Sequence, residues 1–158
     1  MSYQLILLVH ILSSTLLFGT GLGTAFHGWM AQRSRDLRAI TVVNRNVVLA
    51  DWLFTAPAVV MQPLTGAWMA QQAGYPMTTG WLAAALALYV LVGACWLPVV
   101  WLQVRMHRLA ASAEQDGAAL PPAYFRYART WFLLGWPAFL GVIAIFFRMV
   151  FKPAFGAA

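Results

Sequence analysis

A few side chains capable of chemistry lie inside or at the edges of long apolar stretches of this sequence. His10 and Asp51 are the ionisable ones set deepest in apolar surroundings, and Gln62 and Gln103 are amides in similar settings. A histidine can bind haem or a metal or carry a proton, and a carboxyl group can relay protons. Because an ionisable group within a membrane span is costly, His10 and Asp51 are candidate functional residues.

Four predominantly apolar runs must position these side chains. They cover residues 3–31, 47–69, 81–104 and 131–151, and each reaches the roughly 20 residues that a helix needs to cross a bilayer. The chain of 158 residues is 62% hydrophobic and 9% charged, which leaves no room for a soluble domain. We therefore predict an all-α membrane protein with one domain, a four-transmembrane-helix bundle. We expect the first run to be retained, because it lacks the basic start and the cleavage site of a signal peptide.

The charge of the chain predicts its orientation. Eight arginines lie in or beside two of the three connections, and the connection QQAGYPMTTG carries no charge. The positive-inside rule then predicts a bacterial inner-membrane protein with both basic connections in the cytoplasm and both termini in the periplasm. The second basic connection includes ASAEQDGAALPPAYFRYAR, whose Asp-Gly and Pro-Pro pairs predict a long loop. Such basic loops suit anionic lipid, and we expect no nucleic-acid partner.

Helical periodicity gives three of the spans one polar or small-residue face each. In membrane bundles such faces point inward, so they predict a polar or ligand-lined interior. Pro57 and Pro63 should kink the second span. The three faces are His10 with Ser13, Ser14, Gly21, Thr24 and Gly28; Asp51 with Thr55, Gln62, Thr65 and Met69; and Gln103 with Tyr89, Gly93, Trp96 and His107.

The residues alone leave the roles of His10 and Asp51 open. His10 lies about 10 Å below the outer end of its span, at about 1.5 Å per residue. It can be an axial ligand of haem or a metal, a proton carrier, or a hydrogen-bonded contact between helices. Asp51 is either neutralised by an arginine such as Arg129, or by a histidine, or it is part of a proton relay.

Charged and aromatic residues near the span ends have either an interfacial or packing role or a role in ligand binding. His27 and His107, at the inner ends of spans one and three, are interfacial side chains or a second metal or haem site. Arg148 and Lys152 lie near the outer end of the last span. Their side chains either extend to the aqueous interface or bind an anionic group such as haem propionates. Trp96, Trp101 and Trp136 lie deeper and either line a pocket or pack. The aromatic anchors predicted at the interfaces are Tyr3, Trp29, Trp52, Trp81 and Trp131.

Several stretches resemble a known family. LLFGTGLGTAF, ADWLFTAPAVVMQPLTG, CWLPVVWLQVRM and VFKPAF resemble small bacterial membrane proteins described only as predicted integral membrane proteins of unknown function. The resemblance covers nearly the whole chain. It implies a membrane location and no particular activity.

A more distant resemblance implies a cofactor. The membrane-embedded, haem-b protoporphyrinogen oxidase and the copper-resistance membrane family are similar in layout, with an early histidine and a glycine-rich first span. This similarity places His10 at the haem-ligating position, Pro137 at the proline within the last span, and Lys152-Pro153 of KPAF at the closing motif of that span. The third span here lacks the lysine and histidine of that oxidase, and Asn-Glu is missing before Pro137. These departures argue against that particular oxidation.

The favoured interpretation is a haem b protein with a membrane redox role, exchanging electrons with quinone or another membrane redox partner. His10 would be the axial ligand, and Met69 or Met61 a candidate sixth ligand. Gly21 and Gly23 would make room for the macrocycle. Arg148 and Lys152 would hold the propionates.

The alternative is a cofactor-free small transporter, or an accessory subunit of a membrane complex. Its working residues would be Asp51, Gln62 and Gln103 in a polar cavity, with the two prolines as a hinge. His27 and His107, at the cytoplasmic edge of the bundle, are further candidates for that polar cavity or for a proton relay. Under either interpretation, assembly into a homo-oligomer is open.

Overall fold

The structure is a computed structural model that describes residues 2–152. Its helices are α1 (Tyr3–Ser34), α2 (Leu37–Ala50), α3 (Ala56–Gln72), α4 (Gly80–Gln115) and α5 (Pro122–Phe151). A π-helical turn, Asp51–Thr55, joins α2 and α3 into one continuous helix. This part of the chain thus contains four helices long and apolar enough to cross a membrane, and the predicted all-α, four-span architecture is confirmed.

The second basic connection is much shorter than the sequence predicted. The stretch expected to be a loop is mostly helical, because α4 continues to Gln115 and α5 begins at Pro122. Alanine, glutamate and glutamine favour helix over coil, and proline is well suited to the first turn of a helix. Only residues 116–121 remain outside the two helices.

A two-residue connection turns the chain back between α1 and α2. Arg35 ends α1 in a left-handed conformation with φ of 56°, and the Asp36 side chain accepts a hydrogen bond from the Arg38 backbone N–H at 2.9 Å. The carboxylate satisfies an N–H group that the first turn of α2 leaves unpaired. Because successive spans alternate in direction, this turn and residues 116–121 lie at one end of the bundle, which we call the basic end.

The helices form two pairs that meet along only part of their length. α4 packs along α5, α1 packs against α3, and α2 packs against α4. The α4–α5 contact is close: a Cβ atom added at Gly141 would lie 2.5 Å from the Val92 Cγ2 atom. Among the described residues α3 makes no comparably extensive contact with α4 or α5, so beyond the π-helical turn the two pairs meet mainly where Phe18 of α1 contacts Phe139 and Phe146 of α5.

The buried core lies at the basic end. Tyr124 is 1% exposed there, and its hydroxyl accepts a hydrogen bond from the Asn44 amide at 3.1 Å. Alanines around it let the helix backbones approach closely, as is usual in membrane bundles. The buried residues of this core are Ala31, Ile40, Leu102, Met106, Ala110, Tyr124, Ala128 and Trp131.

The outward surface of the spans is apolar. Val90, Leu97 and Val150 are 71%, 65% and 72% exposed. A water-soluble monomer rarely shows such extensive apolar surface. The surface therefore contacts the lipid bilayer.

Candidate functional site

His10 lies at the contact between α1 and α3. Its Nδ1 atom is 2.7 Å from the Thr65 hydroxyl oxygen, and that hydroxyl donates to the Met61 carbonyl at 2.6 Å. A hydroxyl has one proton to donate, so the His10 Nδ1–H donates to Thr65. The imidazole is held as the tautomer whose Nε2 atom carries the lone pair.

Gln62 extends this polar contact by one turn. Its Nε2 atom donates to the His10 backbone carbonyl and to the Ser13 hydroxyl, each at 2.7 Å. Gly66 lies beneath the imidazole, since a Cβ atom there would be 3.2 Å from the His10 Cε1 atom. Hydrogen bonds and a close backbone approach together hold α1 against α3.

A cavity of about 330 Å³ lies between the α1–α3 pair and the α4–α5 pair. Residues of α1, α3, α4, α5 and the π-helical turn all line it, and most of the lining is apolar or aromatic. Gly21, Gly93 and Gly135 are on its wall, and a Cβ atom added at any of them would meet no heavy atom within 4 Å. The glycines thus leave space that larger residues would fill.

The π-helical turn places a carboxyl group at the wall of this cavity. Asp51 is 4% exposed, its Oδ1 atom accepts a hydrogen bond from the Thr55 hydroxyl at 3.0 Å, and Gln103 of α4 lies beside it. Pro57 follows the turn within two residues, and a proline removes a helix hydrogen bond and crowds the preceding turn. A π-helical turn in a helix is frequent at functional sites.

A second proline connects α3 to α4. Pro63 has no N–H group to donate to the Val59 carbonyl one turn earlier. The Tyr89 hydroxyl of α4 donates to that carbonyl instead. This hydrogen bond joins the two helix pairs across the cavity wall, and both Val59 and Tyr89 line the cavity.

The comparisons with known proteins agree with the fold. Residues 4–153 match the family described as "Predicted integral membrane protein (DUF2269)". The chain belongs to this family. Neither a curated protein nor a solved structure matches it significantly. Membership in this family therefore supports the membrane location, and the activity has to be inferred from the geometry of the site.

In this family member, the structure brings together only some of the residues that the sequence singled out. Asp51, Gln62, Gln103 and Gly21 line the cavity. His10 lies at the α1–α3 contact instead, and Lys152 lies over the rings of Tyr75 and Trp81, at 5.5 and 5.4 Å from their centroids. The other predicted site residues outside the cavity lining are Gly23, Met69, His27, His107 and Arg148.

The ionisable groups near the basic end are also separate from the cavity. His27 is exposed, and its Nδ1 atom donates to the Gly23 carbonyl at 2.9 Å. The His107 Nδ1 atom is buried and forms no hydrogen bond within residues 2–152. No group of three or more potential metal-binding side chains occurs in the same range.

The neighbours of Asp51 differ from the arginine or histidine that the sequence predicted. Thr55 and Gln103 lie beside its carboxyl group, and Arg129 is exposed.

The position predicted for Trp131 from the sequence was wrong. We predicted an interfacial anchor, but it is 8% exposed, belongs to the core and lines the cavity. The reason is that α5 begins at Pro122, so Trp131 is well inside the helix. Trp96 and Trp136 line the cavity, as one of the two interpretations required, whereas Trp101 does not. Thr65 as the partner of His10 had no sequence signal beyond its position on the polar face.

Proposed function

We propose that this protein binds a small, predominantly apolar molecule within the membrane, in the cavity between its two helix pairs. The cavity itself carries the proposal: about 330 Å³ lies within the range of small-ligand sites, roughly 300–1,000 Å³. Such sites typically combine apolar walls with a few polar groups that orient the ligand. Here Asp51, Gln62 and Gln103 supply the polar groups.

The packing of the helices supports movement of that molecule, and so a carrier role. The α1–α3 and α4–α5 pairs contact each other sparsely along the cavity, while α2 holds α4 at the basic end. Two pairs packed closely at one end, and joined in the other half by the Tyr89 hydrogen bond and by the stacked rings of Phe18 and Phe139, can open by a small hinge or shear motion that breaks these few contacts. The π-helical turn and Pro57 lie where such a hinge would bend.

Two glycines allow a matched test of the cavity. Leucine at Gly93 would project into the cavity, whereas leucine at Gly19 would project away from it, and both positions have open space. Small molecules extracted from wild type and both variants in lipid nanodiscs would be quantified by mass spectrometry. We expect one compound to be retained by wild type and Gly19→Leu and lost from Gly93→Leu. Equal recovery from all three proteins would contradict the proposal.

Haem b binding through His10 is the second candidate. It is favoured by the hydrogen bond to Thr65, which leaves the Nε2 lone pair available, as in haem and metal sites where the other ring N–H is held by a partner. His10, Met69, Arg148 and Lys152, the residues that would hold the haem, are not among the residues that line the cavity. Electron exchange with quinone depends on this candidate.

A reduced-minus-oxidised visible spectrum tests the haem candidate. The protein would be produced with ample haem and purified beside His10→Ala and His27→Ala, since His27 is the exposed histidine of the same helix. A b-type spectrum retained in His27→Ala and absent in His10→Ala would support it. A colourless wild type would reject it.

We also propose that the protein lies in a bacterial inner membrane with the basic end in the cytoplasm and the termini in the periplasm. The arginines of the basic end support this orientation, because basic connections are retained on the cytoplasmic side. Fusion of alkaline phosphatase after residue 158 should give an active enzyme, and fusion of green fluorescent protein should give no fluorescence. An inactive phosphatase fusion together with a fluorescent fusion would show that the termini lie in the cytoplasm and would contradict the proposed orientation.

A further inference from the structure

The polar groups on the cavity wall are short of hydrogen-bond donors. Asp51 and Gln103 are 4% and 6% exposed. The Asp51 Oδ2 atom and the Gln103 Oε1 atom are buried and have no hydrogen-bond partner within residues 2–152. Both atoms are acceptors, and a buried polar atom without a partner is costly. What would complete this wall is a donor.

The electrostatics of the cavity favour a donor that carries positive charge. Among the described lining residues Asp51 is acidic, and none is lysine, arginine or histidine. The Asp51 carboxyl has a hydroxyl and an amide as neighbours, with no cation paired to it in residues 2–152. A buried charge is stable only when it is paired. The Asp51 carboxylate would repel an anionic ligand, and no basic residue in the described lining would compensate for that repulsion.

The walls determine what kind of cation fits. Trp96, Trp131, Trp136 and Tyr89 line the cavity, and the faces of such rings attract ammonium groups. Calcium and magnesium need six or more oxygen ligands, including retained water, which a mostly apolar wall does not provide. The chemistry therefore suits an organic cation with an apolar body.

We propose that the ligand is a lipophilic amine whose ammonium group donates to Asp51 and Gln103 and whose apolar body lies against the aromatic wall. This inference rests on the proposed function, since it names the class of molecule that the cavity holds. Both oxygens are shielded by their neighbours, so the proposed complex includes a rotation of both side chains toward the cavity.

Three probes with the same phenylbutyl body separate charge from shape. 4-Phenylbutylamine is a cation, 4-phenylbutanol is neutral and 4-phenylbutyrate is an anion. Binding to the protein in nanodiscs would be followed by tryptophan fluorescence, because three tryptophans line the cavity. Gly93→Leu measures the signal that comes from lipid alone.

The variant Asp51→Asn keeps the shape of the side chain and removes its charge. We expect wild type to bind the amine at least about tenfold more tightly than the alcohol, a difference of ~1.4 kcal/mol, and the butyrate most weakly. Asp51→Asn should remove the preference for the amine over the alcohol. Asp116→Asn, an exposed acid after the end of α4, is the matched control and should bind like wild type.

The outcomes distinguish the two proposals. Equal binding of amine and alcohol to wild type, with both lost in Gly93→Leu, would overturn the amine and keep the cavity as a ligand site. A preference for the amine that persists in Asp51→Asn would also overturn it. Binding of all three probes that is unchanged in Gly93→Leu would reject the proposed function itself.

Discussion

The two halves of the bundle are packed in opposite ways. At the basic end, alanines, Tyr124 and Met106 fill the space between α2, α4 and α5, and Tyr124 is 1% exposed. Beyond the π-helical turn, glycines and aromatic rings surround about 330 Å³ of cavity. Close packing gives one half its stability, whereas the other half gives up contacts that a ligand can replace. Stability and ligand binding should therefore respond to different substitutions.

The π-helical turn is where the two halves divide. Before it, α2 packs against α4; after it, α3 packs against α1. The continuous helix formed by α2, the π-helical turn and α3 thus packs against α4 in one half and against α1 in the other. The hydrogen bond from Tyr89 to the Val59 carbonyl is a polar connection between the pairs in the open half.

The largest expected effect is in the packed half. Tyr124→Ala should lower the free energy of unfolding by about 3–5 kcal/mol, because removal of a buried ring leaves a cavity that the helices cannot close. Phe139→Ala removes a ring that already borders the existing cavity and should cost clearly less. Reversible unfolding in mixed micelles measures both. Equal losses would mean that the halves are packed alike.

One added methyl group gives a second comparison, of intermediate size. Gly141→Ala places a Cβ atom 2.5 Å from the Val92 Cγ2 atom and should destabilise the protein by about 1–3 kcal/mol through overpacking. Gly93→Ala lies in open space and should be neutral or slightly stabilising, since alanine favours helix. Thermal denaturation of the two variants tests this. A destabilising Gly93→Ala would contradict the openness of the cavity wall.

The smallest effect is expected at the connection across the open half. Tyr89→Phe removes the donor to the Val59 carbonyl and should cost about 1 kcal/mol. Pro63→Ala returns a backbone N–H to the helix, so the same substitution should cost less in a Pro63→Ala background. A double-mutant cycle by micelle unfolding measures this coupling. Identical costs in both backgrounds would show that the two groups do not share the carbonyl.

Much of the fold could be predicted from the sequence, because the lipid bilayer makes strong demands on composition. The four apolar runs and the inward faces of Asp51 and Gln62 follow from hydropathy and helical periodicity. The length of α5 was not predicted, because Arg126 and Arg129 in its first turns interrupt the apolar run, and Trp131 was misplaced for that reason. The cavity could not be predicted either, because it depends on how far helices distant in sequence separate.

The π-helical turn also determines which codon deletions this chain would tolerate. Such a turn holds one residue more than a regular α-helix, while the helix on either side keeps its direction and its faces. Loss of a single codon within Asp51–Thr55 would therefore restore the regular helix and leave Gln62 and Thr65 facing α1 and His10. Loss of a second codon there has no such compensation and would rotate α3 by about 100° relative to α2. The reading frame would survive both deletions, but the contact between the first two spans would survive only the first.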